Sequence, residues 1–208
     1  MGVSGNTERP YVIIGAGGHA AVVADILYKC GCVIKGFLDD AAAIGTEVLD
    51  AKVIGKIEDC VHSPECSFLI GIGDNTIRKR IAQTFRLEYG IAIHPSASIG
   101  RDVRIGIGTV IMAGCTVNPR TTIGEHCIIN TKAGIDHDNC IGGFSHISPG
   151  AVLGGTVTVG SETHLGIGSC VKNNTSICDK AVVGAGAVVV SDIDEAGTYV
   201  GIPARRLK

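Results

Sequence analysis

Residues 123–141 have the sequence IGEHCI-INTKAG-IDHDNC-I, in which an aliphatic residue recurs every six positions. The same step runs without an insertion from Ile93 to Val189 and finds an aliphatic side chain at all seventeen positions. Four residues after each of the first sixteen comes a compact side chain, most often Ala, Ser, Thr or Cys. A period of six fits neither the 3.6-residue helical stripe nor simple strand alternation. It predicts a parallel β-helix, in which three short strands and three turns make one coil.

The aliphatic residues are expected to stack inwards on three flat faces, and the compact residues to fill the corners between those faces. Glycine often follows the aliphatic position, and we expect these glycines to take positive φ in the turns. They are Gly100, Gly106, Gly124, Gly142, Gly154, Gly160, Gly166 and Gly184.

The first part of the chain has a different pattern. A segment at 11–15 predicts a buried strand, and its last residue opens the glycine-rich segment 15–20, which a helical segment at 21–28 follows. A second apolar segment, 32–38, ends in two acidic residues. This order is typical of a Rossmann-like unit, in which backbone N–H groups bind phosphate and an acid meets the ribose, although the glycines alone also fit a plain tight turn. The predicted nucleotide-binding site comprises Gly15, Gly17, Gly18, His19, Asp39, Asp40, Gly73 and Asn75.

We therefore predict two domains, an α/β Rossmann-like domain at 1–90 and a β-helix at 91–208. Only about 80 residues precede the repeats, which is half of a full dinucleotide domain and favours a mononucleotide ligand over NAD.

Composition excludes several classes of protein. The formal charge is −2 with no long basic run, which argues against nucleic acid or an anionic membrane as a partner. No apolar run approaches the roughly 18 residues of a membrane span, and residues 1–10 do not resemble a signal peptide. The nine cysteines are scattered and odd in number, so we expect reduced thiols in a cytoplasmic protein. No Cys or carboxylate lies at ligand spacing with the histidines, so no metal site is expected.

The most specific segment is 130–155, which contains Asn130, the His137-Asp138 step and His146. Together with 15–20, 37–40 and the C-terminal Tyr-Val-Gly-Ile-Pro-Ala-Arg-Arg at 199–206, it resembles the sialic-acid O-acetyltransferase-like hexapeptide-repeat family. Within that family the chain is most similar to the bacterial nucleotide-linked 4-amino-sugar N-acetyltransferases, which include the UDP-4-amino-sugar enzymes of bacillosamine synthesis. The resemblance implies a left-handed β-helix and a homotrimer that binds acetyl-CoA in an active site between subunits.

The resemblance also assigns roles to residues. His137 matches the family's general base, and Asp138 stands where members of the family carry a Glu that orients this histidine. Asn130 matches a position near the reacting nitrogen of the substrate. Four residues match positions that contact acetyl-CoA: His146 and Gly155 at the thioester, Ala185 along the outer coils and Arg205 in the basic tail. We expect the remaining repeat-region histidines, His94, His126 and His164, to be surface or corner residues.

The resemblance implies direct acetyl transfer from acetyl-CoA to the 4-amino group of a nucleotide-linked amino-dideoxy sugar, with UDP favoured over GDP. An imidazole suits this reaction because it can accept the amine proton near neutral pH. Three alternatives stay open: a GDP-linked perosamine-type acceptor, O-acetylation of a sialic acid or polysaccharide sugar, and a non-catalytic scaffold or sensor.

Overall fold

The computed structural model describes residues 9–63 and 65–207, so the expectation for the extreme N-terminus lies outside the described residues. The chain divides into two compact units, residues 1–95 and 96–208.

The first unit is an α/β domain with a mostly parallel sheet. Its elements are β1 (Tyr11–Ile14), α1 (Gly18–Lys29), β2 (Ile34–Leu38), β3 (Glu47–Val48), β4 (Ala51–Gly55), β5 (Ser67–Ile70), α2 (Asn75–Thr84) and β6 (Ala92–Ile93). Strands β4, β2, β1 and β5 are parallel neighbours, and the short strand β3 pairs antiparallel with β4 at one edge. A 3₁₀ helix at Ile57–His62 connects β4 to β5.

Burial explains why this unit takes the predicted form. All four residues of β1 are buried, as expected for a central strand covered on both faces. Helix α1 buries one face, including Val23 and Leu27, and Asp74 caps α2 by accepting a hydrogen bond from the Ile77 N–H at 2.8 Å. The carboxyl ends of the parallel strands therefore meet at one edge of the sheet, where the predicted nucleotide residues lie.

The second unit is the β-helix that the six-residue period predicts. Its two- and three-residue strands form three faces, here named A, B and C. Neighbouring strands within each face are parallel, except for the last strand pair, which is antiparallel. Face A contains β7 (Ser98–Ile99), β10 (Thr116–Val117), β13 (Gly134–Ile135), β16 (Val152–Leu153), β19 (Cys170–Val171) and β22 (Val188–Val189). Face B contains β8 (Arg104–Ile105), β11 (Thr122–Ile123), β14 (Cys140–Ile141), β17 (Thr158–Val159) and β20 (Ser176–Ile177). Face C contains β9 (Val110–Ile111), β12 (Ile128–Ile129), β15 (His146–Ile147), β18 (His164–Leu165), β21 (Val182–Val183), β23 (Thr198–Val200) and β24 (Arg205–Arg206).

The register of these faces is fixed by eighteen-residue steps. Gly134 pairs with Val152 and Ile135 with Leu153, so each residue lies beside the one that comes three hexads later. The aliphatic positions from Ile111 to Val189 are buried, and so are the compact corner residues from Thr109 to Ala187. Both predicted series therefore form the core of the β-helix.

The glycines that follow the aliphatic positions have a different role from the one predicted. Positive φ occurs two residues later, at the third turn position, as at Asp102, Arg120 and Asp138. At Gly100 and Gly124, a β-carbon would lie 2.6 Å from the backbone nitrogen of the next coil, Pro119 in the first case and Gly143 in the second. Glycine is present because the coils approach closely there, so the expectation of positive φ was wrong.

Candidate functional site

His137 lies in the turn that joins β13 on face A to β14 on face B, a position here called the AB corner. Its side chain is 51% exposed, so the imidazole points away from the core. The turn is held from inside by Asn139, whose side-chain amide donates to the Asp136 carbonyl at 2.6 Å and to the Gly154 carbonyl at 3.0 Å. A buried asparagine thus fixes the backbone that presents the imidazole.

Asp138 orients the imidazole. Its Oδ2 lies 2.7 Å from Nδ1 of His137, while Arg120 donates to both carboxylate oxygens, from Nε at 2.6 Å and from Nη2 at 2.7 Å. The Arg120 hydrogen bonds and that of His137 hold the pKa of Asp138 below its usual range. A carboxylate only accepts hydrogen bonds, so Nδ1 of His137 must carry a proton. The neutral ring therefore has its lone pair on Nε2, as a general base requires.

A second carboxylate supports the same turn. Oδ1 of Asp136 accepts hydrogen bonds from Nδ2 of Asn118 and from the backbone N–H of His137, both at 2.8 Å. These two bonds lower the pKa of Asp136.

Gly155 lies one coil beyond His137 at the same turn position. A β-carbon at position 155 would be 2.6 Å from Cε1 and 2.8 Å from Nε2 of the imidazole. The Gly155 carbonyl accepts from the Asn174 N–H at 3.0 Å, whereas its own N–H donates to no acceptor in the described parts of the chain. A buried backbone donor with no acceptor is unusual and is available to a bound oxygen.

His137 and Gly155 line a groove of about 620 Å³ along the AB corner. Its other walls include Val152 and Cys170 from face A and Lys172 from the next turn. This volume falls in the usual range for sites that bind small molecules and coenzymes.

Asn130 and His146 form a separate cluster on the other side of face A. Asn130 lies in the turn from face C to face A, called the CA corner, and its Nδ2 is 3.0 Å from Nε2 of His146 on face C. His146 stacks on His164 with the ring centroids 4.8 Å apart, and Nε2 of His164 is 2.8 Å from Oγ of Ser148. The predicted catalytic residues thus occupy two different corners of one chain.

The remaining predicted acetyl-CoA residues lie farther along the β-helix. Ala185 is exposed in the CA corner, between Gly184 and Gly186. In the C-terminal hairpin, Arg206 is paired with Glu195 at 2.6 Å, whereas the hydrogen bond of the exposed Arg205 goes to the adjacent Ala204 carbonyl. Within residues 9–63 and 65–207, no carboxylate pairs with Arg205.

In the first unit, the glycine-rich turn leaves room for an anion. Gly15 has φ +100°, and a β-carbon there would be 2.9 Å from the Ile72 side chain. Gly17 and Gly18 are exposed at the start of α1, with open space around them. Their backbone N–H groups therefore lie at a helix N-terminus that an anion can reach.

Both acids after β2 bind backbone groups of the protein itself. Oδ2 of Asp39 accepts from the Ala16 N–H and Oδ1 from the N–H groups of Ala41 and Ala42, all at 2.8 Å. Burial raises the pKa of Asp39, and these three hydrogen bonds outweigh that effect and lower it. Oδ1 of Asp40 accepts from the Ile57 N–H at 3.0 Å. Asp39 thus shapes the glycine-rich turn, a contact that the sequence did not predict.

Arg78 is a second residue that the sequence pattern did not single out. It is 1% exposed on α2 and donates to the carbonyls of Ile72 and Gly73, and to Oδ1 of Asn75 at 2.7 Å. These bonds shape the segment that contains Gly73 and Asn75. Burial and the nearby Arg78 charge lower the pKa of His19 to about 4, so this histidine is neutral at pH 7. The sequence feature that could have identified Arg78 is its position, one helical turn after the helix-capping residue Asp74.

The other histidines of the repeat region and the cysteines make no hydrogen bond to the His137 imidazole in the described residues, although Cys170 lies in the groove wall. His126 is a corner residue, as predicted, although it is 2% exposed and stacks on Phe144; His164 is half-buried on strand β18 and stacks on His146. All nine cysteines are free thiols.

Within residues 9–63 and 65–207, no group of three metal-ligating side chains occurs. No helix in those residues is long and apolar enough to cross a membrane.

Comparison with protein-family models finds two matches. Residues 11–85 match the PglD N-terminal domain, and residues 96–131 match the bacterial transferase hexapeptide of six repeats.

Among curated proteins, the chain is similar to UDP-N-acetylbacillosamine N-acetyltransferase from Bacillus subtilis. The two are 36% identical over 110 residues, which cover 49% of this chain and 50% of that enzyme. The chain spans between 24% and 53% of the length of the first three curated relatives that it matches.

Two solved structures match over nearly the whole chain. The acetyltransferase domain of PglB from Neisseria gonorrhoeae is 35% identical, with a TM-score of 0.92 over 96% of this chain and 100% of that one, and it has also been solved with acetyl coenzyme A. PerB from Caulobacter crescentus, solved in complex with CoA and GDP-perosamine, is 36% identical, with a TM-score of 0.91 over 96% of this chain and 97% of that one.

Proposed function

Because the chain belongs to the family of hexapeptide-repeat sugar N-acetyltransferases with a PglD-type N-terminal domain, we propose that it acetylates the 4-amino group of a nucleotide-linked amino-dideoxy sugar. Acetyl-CoA is the donor, and the nucleotide is UDP. The observation that carries this proposal is the His137 imidazole, oriented by Asp138 at 2.7 Å and set over a bare glycine in an open groove.

His137 acts as the general base. The sugar amine attacks the thioester carbonyl, a C–N bond forms, and Nε2 of His137 takes the proton that the nitrogen loses. The C–S bond then breaks, and the departing CoA sulfur takes up a proton to leave as the thiol. Transfer is direct, because Cys170, the thiol that lines the groove, makes no hydrogen bond to the imidazole in the described residues.

Gly155 supplies electrostatic stabilisation. As the amine attacks, negative charge develops on the carbonyl oxygen, and a fixed backbone N–H stabilises that charge more than it stabilises the ground state. The Gly155 N–H, beside the ring of His137, is the donor that we assign to this role.

A complete site requires a second subunit. His137 and Gly155 lie at the AB corner, whereas Asn130, His146 and Ala185 lie on face C or at the CA corner. We propose a homotrimer in which the AB corner of one chain faces the CA corner of the next, so that each active site combines both clusters. The exposed Arg205 would then meet a phosphate of CoA.

The first unit holds the nucleotide. The open Gly17 and Gly18 at the start of α1 would bind the diphosphate, with His19, Gly73 and Asn75 beside it. Asp40 would meet the ribose through Oδ2, which makes no hydrogen bond within residues 9–63 and 65–207. The free thiols favour a reducing compartment such as the cytoplasm.

A GDP-linked acceptor is the second candidate, and the observation that favours it is the GDP-perosamine bound to the 36%-identical PerB. The UDP-linked and GDP-linked acceptors are distinguished by measuring the release of CoA thiol from acetyl-CoA with matched UDP- and GDP-linked 4-amino-4,6-dideoxy sugars. We expect the UDP sugar to give the higher kcat/KM. A higher value for the GDP sugar would replace UDP by GDP. Turnover with free sialic acid alone would favour O-acetylation, and no turnover with any acceptor would leave a scaffold or sensor.

A further inference from the structure

Arg120 meets Asp138 because both occupy the same position in successive coils. The third residue of the AB turn has positive φ in three successive coils, with +59° at Asp102, +62° at Arg120 and +59° at Asp138. These residues are eighteen apart, which is one coil, and neighbouring parallel strands are about 4.8 Å apart. The column therefore alternates an acid, a base and an acid.

The contacts in this column converge on one carboxylate. Arg120 holds both oxygens of Asp138 in a bidentate pair, and Oδ2 also meets Nδ1 of His137 at 2.7 Å. A planar guanidinium fixes the plane of the carboxylate, which a single hydrogen bond from the imidazole does not. The orientation of the imidazole thus depends on a residue that does not touch it.

We infer that Arg120 is a positioning residue for the general base, acting through Asp138; the inference rests on the proposed function. Arg120 sets the plane of the carboxylate, and with it the direction of Nε2. Its positive charge also offsets the negative charge of Asp138. The other charged groups near the imidazole are Asp136 on the same turn and Lys172 in the groove wall, and Asp102 lies beyond Arg120 in the column.

The test uses variants that keep the backbone of the turn. Arg120→Asn is suited to it, because Asn174 occupies the same turn position at φ +56°. Arg120→Lys keeps the charge without the bidentate geometry. Lys180→Asn is the matched control, since Lys180 is an exposed cation at the third position of another turn, with φ +59°.

Two readouts distinguish positioning from a structural role. The first is kcat, which we expect to fall about tenfold in Arg120→Asn at little change in KM, with partial recovery in Arg120→Lys. The second is the coupling between the two residues: in an Asp138→Asn background, Arg120→Asn should have almost no further effect, because the two residues act as one unit.

The ¹⁵N chemical shifts of the His137 ring, assigned by their loss in His137→Asn, show which ring nitrogen carries the proton and report on the same relationship without catalysis. A fall in the fraction protonated on Nδ1 in Arg120→Asn and not in Lys180→Asn supports the inference even if no acceptor is turned over, and that outcome would count against the proposed function alone. Unchanged ring shifts in Arg120→Asn, or effects of Arg120→Asn and Asp138→Asn that simply add, would overturn it.

Discussion

The imidazole of His137 lies directly over Gly155, so that a β-carbon at position 155 would be 2.6 Å from Cε1 of the ring. Gly155→Ala must therefore displace the imidazole or the turn that supports it. We expect kcat to fall by about 10²-fold or more, because a misplacement of about 1 Å costs that much in a positioned catalytic group. Steady-state kinetics with saturating acetyl-CoA measures the effect.

The matched control is Gly143→Ala. Gly143 has the same position in its own turn, but a β-carbon there would first meet the flexible Glu125 side chain, at 3.3 Å. Equal losses in the two variants would show that the effect comes from adding a methyl group to a turn and not from contact with His137, and would remove the special role of Gly155.

Subunit complementation tests the proposed composite site. His137→Asn and His146→Ala remove one residue from each of the two clusters, and each variant alone should be inactive. When they assemble at random into mixed trimers, about a quarter of the interfaces should combine a native His137 with a native His146. Co-expression should therefore restore about a quarter of the wild-type rate. A rate no higher than the sum of the two separate variants would place both histidines in one chain's site, or exclude one of them.

We predict that the first unit loses stability in acid, because burial keeps His19 neutral in the folded protein. Its pKa is lowered from 6.5 to about 4 in the folded protein, so the unfolded chain takes up the proton first as the pH falls. The neutral His19 contributes fully to the free energy of unfolding above pH 6.5, and this contribution is lost between pH 6.5 and 4. Between pH 7 and 4.5 the free energy of unfolding falls by about 2–3 kcal/mol for this reason. Urea unfolding at both pH values measures it, and His19→Gln should show a loss smaller by that amount. An identical pH dependence in the variant would contradict the assigned environment of the ring.

Asn139 should stabilise the turn that presents His137. It is 1% exposed, donates to the Asp136 and Gly154 carbonyls, and accepts from the Val157 N–H at 3.2 Å. Asn139→Val leaves these buried groups unpaired, and we expect a loss of about 2–4 kcal/mol in the free energy of unfolding, measured by urea titration.

Asn173→Ala is the control for that loss. Asn173 is exposed in the turn that follows β19 and takes no part in the Asn139 network, so its substitution should change stability by less than about 0.5 kcal/mol. Equal stability of Asn139→Val and the wild type would mean that the turn is held by other contacts.

The sequence predicted the coil, its three faces and its core, because a six-residue period without insertions leaves little freedom in the register. It also singled out His137 and Gly155, which line the groove. It did not predict Arg120, since that residue lies seventeen positions before His137 and is brought beside Asp138 only by the height of one coil. A step of eighteen residues from Asp138 leads to Arg120, so this signal was present in the sequence.

Other contacts could not be derived from a period. The carboxylate of Asp39 holds the Ala16 N–H across 23 residues, and this contact depends on how β1 and β2 lie side by side. The burial of Arg78 depends likewise on the carbonyls that α2 meets at the end of β5. Both contacts depend on the tertiary structure, and the local sequence pattern does not identify the group that each side chain will meet.

The central claim is that His137 is the base in acetyl transfer to a nucleotide-linked amino sugar. The most direct measurement compares kcat/KM for CoA thiol release between the wild type and His137→Asn, with calorimetric titration of the nucleotide sugar as a control for binding. We predict a fall of about 10²–10⁴-fold in kcat/KM with unchanged affinity for the nucleotide sugar. Full turnover by His137→Asn would contradict the account.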